Sequence, residues 1–343
     1  MSEKPELRFH ENGRFKILLV SDFHAGRDFS PKLTAGLEAL LEHAKPDLVL
    51  IGGDQYIAQD TEEETRAYIE KMLAPIIRRG IPWAHVYGNH DREQSMPLET
   101  QQKLYEQVPL CLSEAGPEDL PGVGNYRLDV LSSKSDDAAF RIWALDSQRE
   151  NKDFIPQFSL AENTRFVLPQ PFGAGCQQGG VTFRQAAWYY GESERLEREC
   201  GRKVPAIMWF HIPPIEVNLI DRNPEETHAI GSRRESPGCC ELNSGIFMAC
   251  LERGDVKGIF FGHEHLNDFS GEYCGITLAY DAALGYNMSA HDDLRGGRVV
   301  ELDEKTGTFD TYTVKLIDIM GKDAIRDPDY FEGGCRYFFR RLP

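Results

Sequence analysis

Five short apolar runs in this chain each stop abruptly at Gly, Asp, Asn or His. Phe15–Ser21 (FKILLVS) is followed by Asp22 and His24, Asp47–Ile51 by Gly52, Gly53 and Asp54, and Pro82–Tyr87 by Gly88, Asn89, His90 and Asp91. Val204–Phe210 is followed by His211, and Val256–Phe261 by Gly262, His263, Glu264 and His265. Unbroken apolar runs of this length predict strands buried on both faces. Helical patterns lie between them. Pro31–Ala44 places Leu33, Leu37, Leu40 and Leu41 on one face behind Ser30 as N-cap. Thr61–Arg79 carries Glu63 and Glu64 early and Arg78 and Arg79 late, the order a helix dipole favours, and Gly80 ends it. Strands alternating with helices predict an α/β fold, whose ligand sites lie outside the carboxyl ends of the strands.

The rest is less regular. Asn125–Val130 and Phe140–Asp146 predict an antiparallel pair around the polar turn Ser132–Asp137. Thr182–Arg198 and Asn243–Arg253 predict helices, the second capped by Asn243. Ile276–Tyr280, Gly297–Leu302 and Thr308–Val314 read as β. Two long loops, Gln148–Gly180 and Ile215–Cys240, are expected to form the rim of a site and set its specificity. With no repeat and no low-complexity linker, one domain is expected over 1–343, with a core at about 15–315 and a C-terminal extension at 316–343.

Composition narrows the function. Hydrophobic residues make up 41% of the 343, enough for a sizeable core. Thirty-eight Lys+Arg against 55 Asp+Glu leave a net charge of -17. That field repels a long phosphate backbone and excludes bulk binding of a nucleic acid polymer. A small phosphorylated substrate or a phosphoprotein remains compatible, because a bound metal reverses the local sign. The apolar runs are too short to span a membrane, and the N-terminus lacks the apolar core of a secretory signal. A cytoplasmic protein is expected, or a secreted one if a signal was removed. The eight cysteines include no Cys-x-x-Cys pair and are expected to be reduced and structural. Oligomeric state has no sequence signal.

Two Asp, one Asn and four His thus reach one sheet edge. Imidazole and carboxylate suit Zn, Fe and Mn, with no thiolate needed. Seven donors are too many for one catalytic ion that keeps an open position. They suffice for two ions, which at ~3.5–4 Å apart clamp the attacking and leaving oxygens of a displacement at phosphorus. Gly52, Gly53, Gly88 and Gly262 remove side chains where the backbone turns beside such ions.

The set Asp22-Phe23-His24, Gly52-Gly53-Asp54, Gly88-Asn89-His90-Asp91, His211 and Gly262-His263-Glu264-His265 resembles the calcineurin-like metallophosphoesterases over about residues 15–315. The closer resemblance is to the small purple-acid-phosphatase-like branch, through His211–Pro214, Asn243–Gly245 and Gly254–Phe269. The resemblance implies a four-layer α/β/β/α sandwich of two mixed β-sheets flanked by helices. It implies that Asp22, His24 and His265 bind one metal, that Asn89, His211 and His263 bind a second, and that Asp54 bridges them. A metal-bridging hydroxide is then the nucleophile, and His90, oriented by Asp91, donates to the phosphate or the leaving-group oxygen. The reaction implied is phosphoester hydrolysis, a monoester before a diester of nucleotide or glycerol type, with a non-catalytic scaffold of the same fold as the third reading. Purple acid phosphatases carry an iron-binding Tyr three residues after the bridging Asp, where this chain has Ile57, and Gly where it has His24. The resemblance therefore implies an all-divalent or mixed Fe, Zn or Mn pair rather than a ferric tyrosinate.

Further residues carry weaker signals. Arg233 and Arg234 are candidates for binding substrate phosphate, against a solvated loop as the plainer reading. Asp281 and Tyr286 are candidates for lining the pocket, and Asn267 and Asp268 for supporting the ligand histidines. Glu264 is expected to face solvent. His10, His43, His85, His228 and His291 have no motif context, and Cys239–Cys240 are given no role.

Overall fold

The computed structural model describes residues 4–26, 30–150, 178–286, 288 and 290–326. Its strands are β1 (Leu7–Arg8), β2 (Arg14–Val20), β3 (Leu48–Ile51), β4 (Trp83–His85), β5 (Tyr126–Leu131), β6 (Ala138–Ala144), β7 (Ala206–Trp209), β8 (Val256–Phe261), β9 (Ser270–Tyr273), β10 (Ile276–Tyr280), β11 (Gly296–Asp303) and β12 (Thr308–Lys315). They form two mixed sheets. One has the order β1-β5-β6-β7-β8-β10-β9, the other β12-β11-β2-β3-β4. In the first, β6, β7, β8 and β10 are mutually parallel; in the second, β2, β3 and β4 are. β11 runs antiparallel between β12 and β2.

The apolar runs lack a polar alternation because each strand is covered twice. Ile17 and Leu19 of β2 and Leu48 and Leu50 of β3 pack between the sheets, with Ile207 and Trp209 of β7 opposite. Leu18, Val20, Val49 and Ile51 face the other way, onto the helices α1 (Pro31–Ala44), α2 (Glu62–Arg78) and α3 (Leu98–Tyr105). Ala206, Met208 and Phe210 face α4 (Phe183–Cys200), α5 (Val217–Arg222) and α6 (Ile246–Arg253). The result is a four-layer α/β/β/α sandwich of two mixed β-sheets flanked by helices.

Local chemistry sets several boundaries. Ser30 caps α1 with Pro31 in its first turn. Thr61 and Glu64 form a reciprocal capping box at α2, as Thr182 and Gln185 do at α4. Asn243 is not the cap of α6. The helix begins at Ile246 behind the left-handed Gly245, and Asn243 accepts from the Gly245 N–H while donating to Glu216. Leu316 and Ile325, on α7 (Leu316–Met320) and α8 (Lys322–Ile325), are buried against α1, so the core continues past 315. The expected loop Gln148–Gly180 lies mostly outside the described residues, as do Cys176, Cys335 and 327–343 of the extension. Among the described residues no helix is long and apolar enough to cross a membrane.

Candidate metal centre

Asp22 and His24 follow β2, Asp54 follows β3, and Asn89 and His90 follow β4 of one sheet; His211 follows β7 and His263 and His265 follow β8 of the other. The centre therefore straddles the carboxyl edges of both sheets. To turn back over these edges, Asp22 (φ 55°), His24 (φ 40°), Asp54 (φ 54°) and His263 (φ 78°) all adopt the left-handed region. Non-glycine residues there are strained and are held only by their surroundings. The holding bonds are visible: Asp22 N–H donates to Gly53 O at 3.1 Å and His24 N–H to Asp54 O at 2.8 Å. A side chain at Gly88 would collide with Asp54 Oδ1, and one at Gly53 (φ 97°) with His211 Nδ1.

Each ligand candidate anchored to the backbone has one atom bonded and one left over. Asp54 Oδ1 accepts the His90 N–H at 2.8 Å, and Asp22 Oδ2 accepts the His263 N–H at 3.2 Å. The His211 Nδ1–H donates to Gly52 O at 2.6 Å, which fixes its tautomer. The remaining atoms, Asp54 Oδ2, Asp22 Oδ1 and His211 Nε2, are buried without a hydrogen-bond partner, as is Asn89 Oδ1. Those of Asp54, Asp22 and His211 lie within one cluster. His211 Nε2 is 3.1 Å and His24 Nε2 3.4 Å from Asp54 Oδ2, and His265 Nε2 is 3.4 Å from Asp22 Oδ1. His24 Nε2 and His265 Nε2 approach to 3.1 Å. Asp22, His24, Asp54 and His265 form one donor group and Asp54, His211 and His263 a second, with Asp54 in both.

Buried polar atoms without partners are costly, and four of those among the described residues belong to the ligand candidates. A pair of cations fits this donor set: nitrogen and carboxylate ligands, one carboxylate common to both groups, and the opposite atom of several ligands bonded to backbone. The charges of the metal-free site agree. Burial opposes ionisation of Asp22, yet His265, 3.4 Å from its Oδ1, and the nearby His211 hold its carboxyl down at about 2. Asp54 is likewise lowered, by His211 and then His24 against burial. Burial disfavours a charged His211, but the adjacent Asp54 raises it to about 10. Burial lowers His24 to about 4 and His263 to about 3, which leaves both as neutral ligands.

Several expected roles change. Asp91 does not orient His90. It is fully buried and accepts the N–H groups of Asp54 (2.9 Å), Gly88 (2.8 Å) and Tyr56 (2.8 Å), so it ties the loop after β3 to the loop after β4. Burial and the charge of Asp54 raise its carboxyl to about 7. Arg233 is paired with Asp221, and Arg234 with Asp293 and His291, so both guanidinium groups are engaged within the chain. Glu264 does not face solvent: it is 5% exposed and accepts the Gly238 N–H, and burial raises its pKa well above the usual value. Asn267 and Asp268 bond the 232–235 segment rather than the histidines. Asp281 is fully buried, and Tyr286 stacks under Arg295. Ile57 is fully buried and Tyr56 is 38% exposed.

The profile of the calcineurin-like phosphoesterases matches residues 15–267. A protein named "Probable inactive purple acid phosphatase 14" from Arabidopsis thaliana is 33% identical over 310 residues, covering 82% of this chain and 73% of that protein. "Phosphatase DCR2" from Saccharomyces cerevisiae is 26% identical over 283 residues, 76% of this chain and 45% of its own length. In structure, a dimetal phosphatase from Danio rerio superposes with a TM-score of 0.50 at 15% identity, over 87% of this chain and 98% of that one, a likeness of fold. Motif order, donor geometry and the profile match converge, and the chain belongs to the calcineurin-like phosphoesterase family.

Proposed function

We propose that this chain is a metal-dependent phosphomonoesterase that holds two cations. The observation that carries the reading is that Asp22 Oδ1, Asp54 Oδ2 and His211 Nε2, each buried and without a hydrogen-bond partner, belong to two donor groups that share Asp54. Asp22, His24 and His265 would hold one cation, Asn89, His211 and His263 the other, and Asp54 both. Bound there, the ions would lower the pKa of water and neutralise charge gathering at phosphorus. The chain's own residues do the rest. The bond to Gly52 O and those from His90 N and His263 N keep the ligands aimed without reorganisation. The His90 ring stands edge to face with that of His24, centroids 5.1 Å apart, at the margin of the centre. There the doubly protonated ring would give its Nε2 proton to the leaving oxygen as the P–O ester bond breaks, and would be left as the neutral Nδ1–H form.

A Zn, Fe or Mn pair suits the donors, and a small phosphorylated substrate or phosphoprotein suits the centre's charge. A second reading has one observation behind it: the Arabidopsis relative is named "Probable inactive". The complete donor set argues for activity. The test is turnover of mono-aryl and bis-aryl phosphates alongside elemental analysis. Bound metal, with hydrolysis of the monoester that Asp54→Ala abolishes and His90→Ala reduces while keeping its metal, is expected. Diester turnover alone would move the reading to a phosphodiesterase. Bound metal without turnover would leave the non-catalytic scaffold.

A further inference from the structure

We infer that Glu93 is the positioning residue for His90, and that it decides which ring nitrogen meets the substrate. The inference rests on the phosphoesterase reading for its consequence, but not for its geometry. His90 to Glu93 is a single 3₁₀ turn, in which residues three apart eclipse each other. Glu93 Oε2 lies 2.7 Å from His90 Nδ1. Its other oxygen, Oε1, lies 3.4 Å from Arg149 Nη2, so each carboxylate oxygen has its own partner. The turn beneath them is fixed. Asp91 is clamped by three backbone N–H groups, Arg92 is paired with Asp146, and the Gln101 side chain donates to Asp91 O at 3.1 Å.

The neighbouring Asp91, which the sequence puts next to His90, is turned inward and cannot serve. With Nδ1 donating to Glu93, Nε2 is the ring nitrogen left for the substrate, on a ring whose centroid is 5.1 Å from that of His24. Exposure of His90 and Glu93 is 39% and 36%, so the pair adds little to stability. Its worth lies in orientation, as for the outer partners of other site histidines, whose loss costs about 10–100-fold.

The experiment compares wild type with Glu93→Ala and Glu93→Gln, metal-loaded, on aryl phosphates of rising leaving-group pKa. Proton donation matters most for the worst leaving group. Glu93→Ala should therefore lower kcat about 10–100-fold on phenyl phosphate and hardly at all on 2,4-dinitrophenyl phosphate, with KM and metal content unchanged. Glu93→Gln, whose amide oxygen still accepts from Nδ1, should recover part of the loss. A second readout needs no turnover. The ¹⁵N spectrum of the metal-free chain, with His90 identified by its absence in His90→Gln, should show the neutral ring as the Nδ1–H tautomer in wild type and a mixture in Glu93→Ala. Equal losses on every ester, no loss, or an unchanged tautomer would overturn the inference. If wild type hydrolyses no phosphoester, the functional reading falls and the tautomer alone decides this one.

Discussion

At the scale of single residues, the centre is a set of half-bonded side chains. Asp54, Asp22 and His211 each give one polar atom to the backbone and keep the other unpartnered. Such a site binds cations in competition with protons. His211 is raised to about 10, so below that pH the metal-free chain holds a proton that a cation must displace. The sign follows: affinity for a divalent ion rises as pH rises from 6 to 9, about tenfold per unit for one proton. Calorimetric titration in buffers of different ionisation enthalpy should report close to one proton released, and a heat independent of buffer would refute this. Glycine matters at the same scale. Gly88→Ala would push a methyl group onto Asp54 Oδ1 and should abolish metal binding, checked by elemental analysis of folded protein. The metal-ligand candidates were readable because Asp, Asn and His stand directly after apolar runs. The role of Asp91 was not, because its side chain turns to backbone groups distant in sequence.

At the scale of elements, strands and caps were legible and loop interiors were not. The pattern places α1 at the same residues the structure shows, and Ser30 and Thr61 mark the starts of α1 and α2. Thr61→Ala removes the bond its hydroxyl accepts from the Glu64 N–H, leaves the backbone half of the capping box, and should cost about 1 kcal/mol by urea unfolding. Because the loop carrying Asp54 leads into this helix, metal content is the control and should not change. By contrast α3, α5 and β9 lie in stretches with weak periodicity, and β9 is defined by its antiparallel pairing with β10. Asn243 looked like a helix cap, but the left-handed Gly245 starts the helix later.

At the scale of the whole molecule, the two sheets bring their donors to one edge, with helices covering the outer face of each. The C-terminal α7 takes part in this. Leu316 is fully buried and packs against Gly36 of α1, where a larger residue would meet it. Leu316→Ala should therefore destabilise by about 2–5 kcal/mol in urea unfolding, the range for core truncations, and a change below 0.5 kcal/mol would show that the core ends before it. Divalent metal in excess should raise stability by about 2.7 kcal/mol at 100 times Kd, and a chelator should reverse it.

The sequence by itself determined the α/β class, the parallel strands and the donor residues, because burial on both faces and the polar residues at strand ends are local patterns. Only the tertiary structure decided which donor atoms lie within reach of one another, that Asp91 serves the backbone, that Glu93 lies against the His90 ring, and that Arg233 and Arg234 are tied up elsewhere. Those outcomes depend on distances between segments up to 241 residues apart, and a side chain's partner is chosen by what surrounds it in space.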